Sequence, residues 1–390
     1  MLKKSRLSWF ESDDLSIAIL SLLPSKILHH LKLVSKDWLN LICDRTFITA
    51  QLKKTEPVSG FFFQEVFQFA TAENKESISY IPADVQNVKI WPDVLGFLPE
   101  YVVILSLDNG VLCCRNCFPT SRPKIYVCNP LRKQWASIEW PKNYDVSRDS
   151  IISLSFDPFS DPMDKSTNFQ LVAVSEIGKD DEDGNISEYW ISFDIYSSET
   201  GSWRRSNECC VLKRGLVRNK KVMLRGVSFW LTEGYGVLMF DIKNELSWLV
   251  PAPLPLDEFA GVPEMCLGES GGKLHYVVVC EDGLQLWALE DHFGATWELR
   301  VNVPLDVLEK ENPDSLYKLS DNMACGVGPA WMAPLAFKDG KLLVRVSVKM
   351  YLYEFETGRM KKLCHVSALG PTSMFSPIVV PYAMTLVPLE

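Results

Sequence analysis

The sequence predicts a mainly β chain with a small all-α domain at its N-terminus, the β part closing as a propeller of about six blades. Three observations carry this reading. Leu and Ile recur at helical spacing only in about the first 50 residues. Beyond them, short apolar runs of β type alternate with Gly, Pro, Asn and Asp turn residues. Several of those runs repeat one design at the spacing of propeller blades.

The helical signal opens at Ser12, a good N-cap, with Asp13 and Asp14 in the first turn, where the helix dipole favours acid. Leu15, Ile19, Leu22 and Leu23 follow at helical spacing until Pro24 stops the turn. Pro24 also suits the first turn of a second helix, from Ser25 to about Val34, with Ile27, Leu28 and Leu31 on one face. A third helix is predicted from about Ser35, through Trp38, Leu39, Leu41 and Ile42, to Asp44. Three helices in so short a stretch cannot bury a self-sufficient core. Leu20, Leu23, Leu28 and Leu33 cannot all point inward, so the unit reads as a docking module completed by another protein.

Leu23-Pro24 followed by Val34-Ser35-Lys36-Asp37-Trp38 resembles the F-box, especially its plant form. The match departs at Ser12-Asp13, where a Leu-Pro pair often opens the first helix, and at Asp44-Arg45, where Asp-Pro is usual. The resemblance implies docking onto a Skp-family linker protein and, through it, onto a cullin-RING ubiquitin ligase. The residues expected to bind the linker are Leu15, Ile19, Leu20, Leu23, Pro24, Leu28, Leu31, Val34 and Trp38. The plain alternative is an ordinary helical cap.

Composition bounds the rest. A hydrophobic fraction of 47% suffices for a packed core. No apolar run approaches the ~18–20 residues of a membrane span, and the start MLKKSRLSWFESDD has no apolar signal region. Eleven cysteines, with adjacent pairs at Cys113-Cys114 and Cys209-Cys210, suit reduced thiols, and the expected location is cytoplasm or nucleus. Net charge is −9, yet residues 1–54 hold nine Lys and Arg against five Asp and Glu. A basic module suits an acidic partner, and the acidic remainder argues against a broad nucleic-acid surface.

The stretch Lys53 to Gly60 is polar with Pro and Gly breakers and reads as the linker, giving a docking domain over 1–55 and a target-recognition domain over 56–390. From Phe61 the β runs begin, with one helical exception expected around Pro304 to Leu319. Five segments share a strand ending in a polar residue, a tight turn, and a large residue opening the next strand. That residue is Trp135, Trp203, Trp248, Trp297 and, in the last, Met360. The tryptophans lie 68, 45 and 49 residues apart, and are expected to be buried at one equivalent blade position. A ring must close, so Pro377 to Val387 should pair beside Phe61–Phe67. These units resemble the kelch-like, F-box-associated repeats of plant F-box proteins. Ser270-Gly271-Gly272 matches the kelch di-glycine, while Asn109-Gly110, Asp282-Gly283 and Asp339-Gly340 stand in its place elsewhere. A two-sheet sandwich is the alternative.

Catalytic, cofactor and metal sites are not expected. Gly268-Glu269-Ser270-Gly271-Gly272 fits G-x-S-x-G, but a β run follows where the nucleophile elbow needs a helix. Cys114 and Cys117, with Cys128, lack the fourth ligand of structural zinc. Asp180 to Gly184 falls short of a calcium loop, because Lys179 holds the first ligand position and Trp190 the twelfth. The acidic loops are the expected place for a protein target with a basic segment, with Asp180, Asp181, Asp183, Asp257, Glu258 and Glu264 as contacts. The reading is therefore a non-catalytic substrate-recognition subunit of a ubiquitin ligase. A propeller enzyme or small-molecule sensor with a helical assembly cap is the competing class, and a polar central channel would favour it.

Overall fold

The computed structural model describes residues 13–52, 56–65, 78–84, 91–92, 94–117, 120, 122–141, 151–158, 168–180, 184–254, 263–291, 293, 295–324, 331–369 and 377–389. Four helices come first: α1 (Asp13–Leu20), α2 (Ser25–Leu31), α3 (Lys36–Cys43) and α4 (Arg45–Leu52). The Ser35 side chain caps α3 by accepting from the Trp38 amide at 3.1 Å. The sequence predicts only three helices. The fourth forms because Asp44, expected to end the third, accepts from the Thr46 amide at 2.8 Å and starts a new turn. That turn buries Phe47, Ile48 and Gln51.

The strands that follow are β1 (Gly60–Gln64), β2 (Ile78–Pro82), β3 (Trp91–Pro92), β4 (Val102–Asp108), β5 (Val111–Asn116), β6 (Lys124–Asn129) and β7 (Gln134–Glu139). Next come β8 (Ile151–Phe156), β9 (Phe169–Asp180), β10 (Ile186–Ser197), β11 (Ser202–Leu212), β12 (Leu216–Leu224), β13 (Val227–Thr232), β14 (Val237–Asp241) and β15 (Leu246–Val250). The last group is β16 (Glu264–Ser270), β17 (Lys273–Cys280), β18 (Gly283–Asp291), β19 (Thr296–Val303), helices α5 (Leu305–Glu311) and α6 (Leu319–Ala324), β20 (Met332–Lys338), β21 (Lys341–Val346), β22 (Lys349–Glu354), β23 (Arg359–His365) and β24 (Ile378–Tyr382).

These strands form antiparallel meanders packed side by side as a β-propeller. The innermost strands β24, β4, β8, β12, β16 and β20 contact one another around a central axis. Among the described residues, hydrogen bonding gives four separate four-stranded sheets and one of eight strands, which differs from the expected ring of about six separate blades. The eight-stranded sheet joins the meanders β16–β19 and β20–β23 by a short parallel bridge, Gly268 to Phe337 and Glu269 to Lys338. Gly268 permits it, because a Cβ there would collide with the Phe337 carbonyl. The ring closes where the sequence places closure: β24 pairs with β1 from Gly60↔Tyr382 to Gln64↔Ile378.

Turn chemistry sets the hairpins. Asn109-Gly110, Arg225-Gly226, Gly271-Gly272 and Asp339-Gly340 each form a two-residue loop with both φ positive, the geometry that matches strand twist. Gly110 also lies against the C-terminal tail, where a Cβ would sit 2.7 Å from the Ala383 carbonyl.

The repeated tryptophans occupy equivalent outer-strand positions, second in β7, β11 and β19 and third in β15. Their expected burial is not observed: Trp135 is 43% exposed and Trp203, Trp248 and Trp297 are half-buried. The outermost strand has no further strand to cover it, so these rings lie on the rim. There, two of them tie blades together. Trp203 Nε1 donates to the Glu139 carbonyl at the end of β7, and Trp297 Nε1 to the Pro251 carbonyl just after β15, both at 2.9 Å.

Candidate functional site

Two places concentrate chemistry: the helical unit and the central channel. The helical unit is anchored on one side to the ring. Leu20, Leu28, Ile42 and Phe47 form its core with Leu386 of the C-terminal tail, and Ile48 joins a cluster containing Val387 and Leu389. Glu56, which the sequence places just past the docking domain, is tied back to the helices. It accepts from the Ser25 amide at 3.0 Å and from Gln51 Nε2 at 3.1 Å. Burial raises its pKa against the opposing pull of those hydrogen bonds.

The other side of the unit is bare. Leu15, Ile19, Leu22, Ile27, Leu33 and Val34 are exposed, Leu33 to 86%. Of the residues expected to bind a linker, Leu15, Ile19, Pro24 and Val34 are exposed and Leu23, Leu31 and Trp38 half-buried. Leu20 and Leu28 are buried in the unit's own core, because the tail supplies the cover that a partner was expected to give. Leu22, Ile27 and Leu33 carry much of the bare surface.

Strand direction fixes the two faces of the ring. Loops after the first and third strands of a meander emerge with the helices, and loops after the second and fourth on the opposite face. The β9–β10 tip, the chain leaving β15 at residues 251–254 and α5–α6 share that opposite face. Asp180 is exposed there, whereas Asp181, Asp183, Asp257 and Glu258 lie outside the described residues. Glu264 is half-buried and faces Lys220 across 3.8 Å. An apolar row missed by sequence reading accompanies the tip. Ile177, Trp190 and Val211 are direct cross-strand neighbours on β9, β10 and β11, exposed to 66%, 48% and 47%. The signal was available in the unusual length of those strands, which outreach the other blades.

The channel holds a cavity of about 1280 Å³ lined by all six innermost strands. Its polarity originates in β12. The pairing of β12 with β13 breaks between Leu216 and Lys221, so Arg218-Asn219-Lys220 leaves the ladder and bulges along the axis. Asn219 Nδ2 reaches the Pro377 carbonyl at 3.0 Å. Arg115, Asp108, Glu269 and Lys338 line the same space, and Glu269 pairs with Lys338. Asp108 accepts from the Phe156 amide at 2.8 Å, yet enclosure by protein pushes its pKa up to about 8. Burial holds Lys221 down to about 8.

The Asp108 shift has a testable sign. Between about pH 4 and pH 8 the folded chain keeps a proton that the unfolded chain has lost, so this group costs stability as pH rises through that window. Asp108→Asn is expected to leave stability unchanged near pH 4 and to raise it by about 1–2 kcal/mol near pH 8, after screening by channel water. Urea unfolding at the two pH values measures this, and equal effects at both would refute the shift.

No nucleophile elbow is present at Ser270. It ends β16 and is followed by a tight turn and β17, and His275 Nδ1 lies 3.1 Å from the Lys273 carbonyl oxygen. Cys114 and Cys128 are buried thiols, and among the described residues no three His, Cys, Asp or Glu side chains gather as metal ligands.

A β-propeller with a helical unit on one face and apolar helix surface turned outward is the class these features define. The family model described as "F-box protein At3g26010-like, beta-propeller" matches residues 93–323, and the N-terminal helices fit an F-box. The chain belongs to this family of plant F-box β-propeller proteins. It is 26% identical to F-box protein At5g07610 of Arabidopsis thaliana, over 78% of this chain and 73% of that one. It is 24% identical to F-box protein At5g49610 of the same plant, over 75% and 79%. F-box/kelch-repeat protein At3g61590, also from Arabidopsis thaliana, is 24% identical over 49% of this chain and 44% of its own.

Proposed function

We propose that this chain is the substrate-recognition subunit of an SCF-type cullin-RING ubiquitin ligase. Residues 1–55 would dock a Skp-family linker, and residues 56–390, counted as six blades with the eight-stranded sheet taken as two, would hold the target. The reading rests on one observation. The helices are fixed to the ring by one face and leave Leu15, Ile19, Leu22, Ile27, Leu33 and Val34 bare on the other. Covering a side chain of that size contributes about 1.5–3 kcal/mol, so six of them suit a stable partner. The chain would form no covalent intermediate. It would raise the effective concentration of a target lysine near the ubiquitin-loaded enzyme.

The target is assigned to the face opposite the helices. There the row Ile177–Trp190–Val211 offers an aromatic anchor, and exposed Asp180 at the end of β9 would favour a basic target segment. The place of action is the cytoplasm or nucleus. Mixing the purified full-length chain with a Skp-family linker is expected to give one complex on gel filtration, able to recruit a cullin. Separate elution at micromolar concentrations would overturn the proposal.

A further inference from the structure

The charged channel belongs to neither of these surfaces. We propose that it is a binding site for a small organic anion, one carboxylate or phosphate group on a compact apolar body, whose oxyanion meets the Lys221 ammonium. The cavity of about 1280 Å³ has ample room for such a molecule. Its walls are mixed, with Val103, Leu105, Leu335 and Val379 beside the charged groups, as a site for a part-apolar anion requires.

Lys221 is distinguished by what its neighbours do. Lys220 is committed to Glu264 at 3.8 Å, and Lys338 to Glu269. Glu176, the carboxylate nearest the start of β12, accepts from the Leu216 amide at 3.0 Å. Asp108 holds the Phe156 amide and stays largely protonated near neutral pH. The Lys221 ammonium has no hydrogen bond or ion pair among the described residues, although it lines the cavity. Lys221 is half-buried and faces the cavity, so an anion entering there would gain a charge-assisted contact that no side chain among the described residues supplies. The bulge that places Lys221 breaks the β12–β13 ladder and is held across the channel by Asn219 on Pro377. Bulges of this kind re-aim side chains next to ligand sites.

The test uses the full-length chain without a linker, so its outcome is separate from that of the ligase reading. The probes are benzoate and phenyl phosphate, with benzyl alcohol as the uncharged control. Acetic anhydride at about pH 8 is expected to acetylate Lys221, since its amine is partly deprotonated there, and peptide mapping reads the rate. At least one of the two anions should slow that reaction about tenfold or more, while exposed Lys179 is unaffected and benzyl alcohol does nothing. Which anion protects tells carboxylate from phosphate recognition. By calorimetry, Lys221→Met should weaken binding of the protecting anion about tenfold or more, and Lys221→Arg should retain most of it. The proposal is overturned if neither anion protects Lys221, if benzyl alcohol protects equally, or if Lys221→Met binds as well as the unaltered chain. Protection in the unaltered chain decides the matter even where a variant fails to fold.

Discussion

Ile19→Asp combined with Leu33→Asp is expected to abolish capture of a Skp-family linker while leaving the chain folded. Both side chains are bare in the isolated chain, at 51% and 86% exposure, so their loss removes little internal packing. Surface changes of this kind usually alter stability by less than about 0.5 kcal/mol. At a partner interface each truncated apolar anchor costs about 2 kcal/mol or more, and a carboxylate buried there costs further. A loss of at least about a thousandfold in affinity is therefore expected. Leu28→Asp supplies the contrast, since Leu28 is fully buried beside Leu20, Phe47 and Leu386. It should lose linker capture by unfolding the helical unit, visible as lost helical circular dichroism. Undiminished capture by the double variant would show that the bare face is not the docking face.

Removing residues 377–390 is expected to abolish cooperative unfolding of the whole chain. The deletion strips β24 from β1, leaving an open edge where the ring closes. It removes the carbonyls of Thr385 and Val387, which accept from Asn129 Nδ2 at 3.1 Å and 2.8 Å, and that of Leu386, which accepts from Arg132 at 2.7 Å. Leu386, Val387 and Leu389 leave two cores at once. At about 1.5–3 kcal/mol for each buried side chain, with the strand pairing added, the loss is comparable with the ~5–15 kcal/mol stability of a typical domain. Thermal unfolding followed by circular dichroism and by tryptophan fluorescence checks this. A single sharp transition near that of the intact chain would contradict the closure described here.

The sequence carries the propeller well because blade hairpins are local. Asn109-Gly110 and Asp339-Gly340 announce two-residue turns by composition alone, and the Trp slots mark the outer strands in register. The burial of those tryptophans was misread because period does not report depth. An aromatic at blade phase can sit in the core or on the rim, and Trp203 and Trp297 use the rim to reach a carbonyl of the preceding blade. The bare face of the helical unit was only half legible. Helical spacing finds Ile19 and Leu28 equally, and only contact with Leu386, distant in the chain, separates the bare from the buried. The channel was not legible at all. The bulge at Arg218 to Lys221 is a property of pairing with β13, not of the residues alone. The fusion at Gly268 is similar, for it depends on Phe337 of the next meander.

The Leu386 contact also imposes an order on biosynthesis. The N-terminal helices leave the ribosome well before the residue that completes their core, which is made about 340 positions later. At about 5–20 residues per second, a nascent chain holds these helices without their floor for roughly 20–70 s. The propeller ring acquires its closing strand at nearly the same moment, since β24 and Leu386 are neighbours in the chain. Completion of the helical core and closure of the ring are thereby synchronised, and an unfinished polypeptide presents neither.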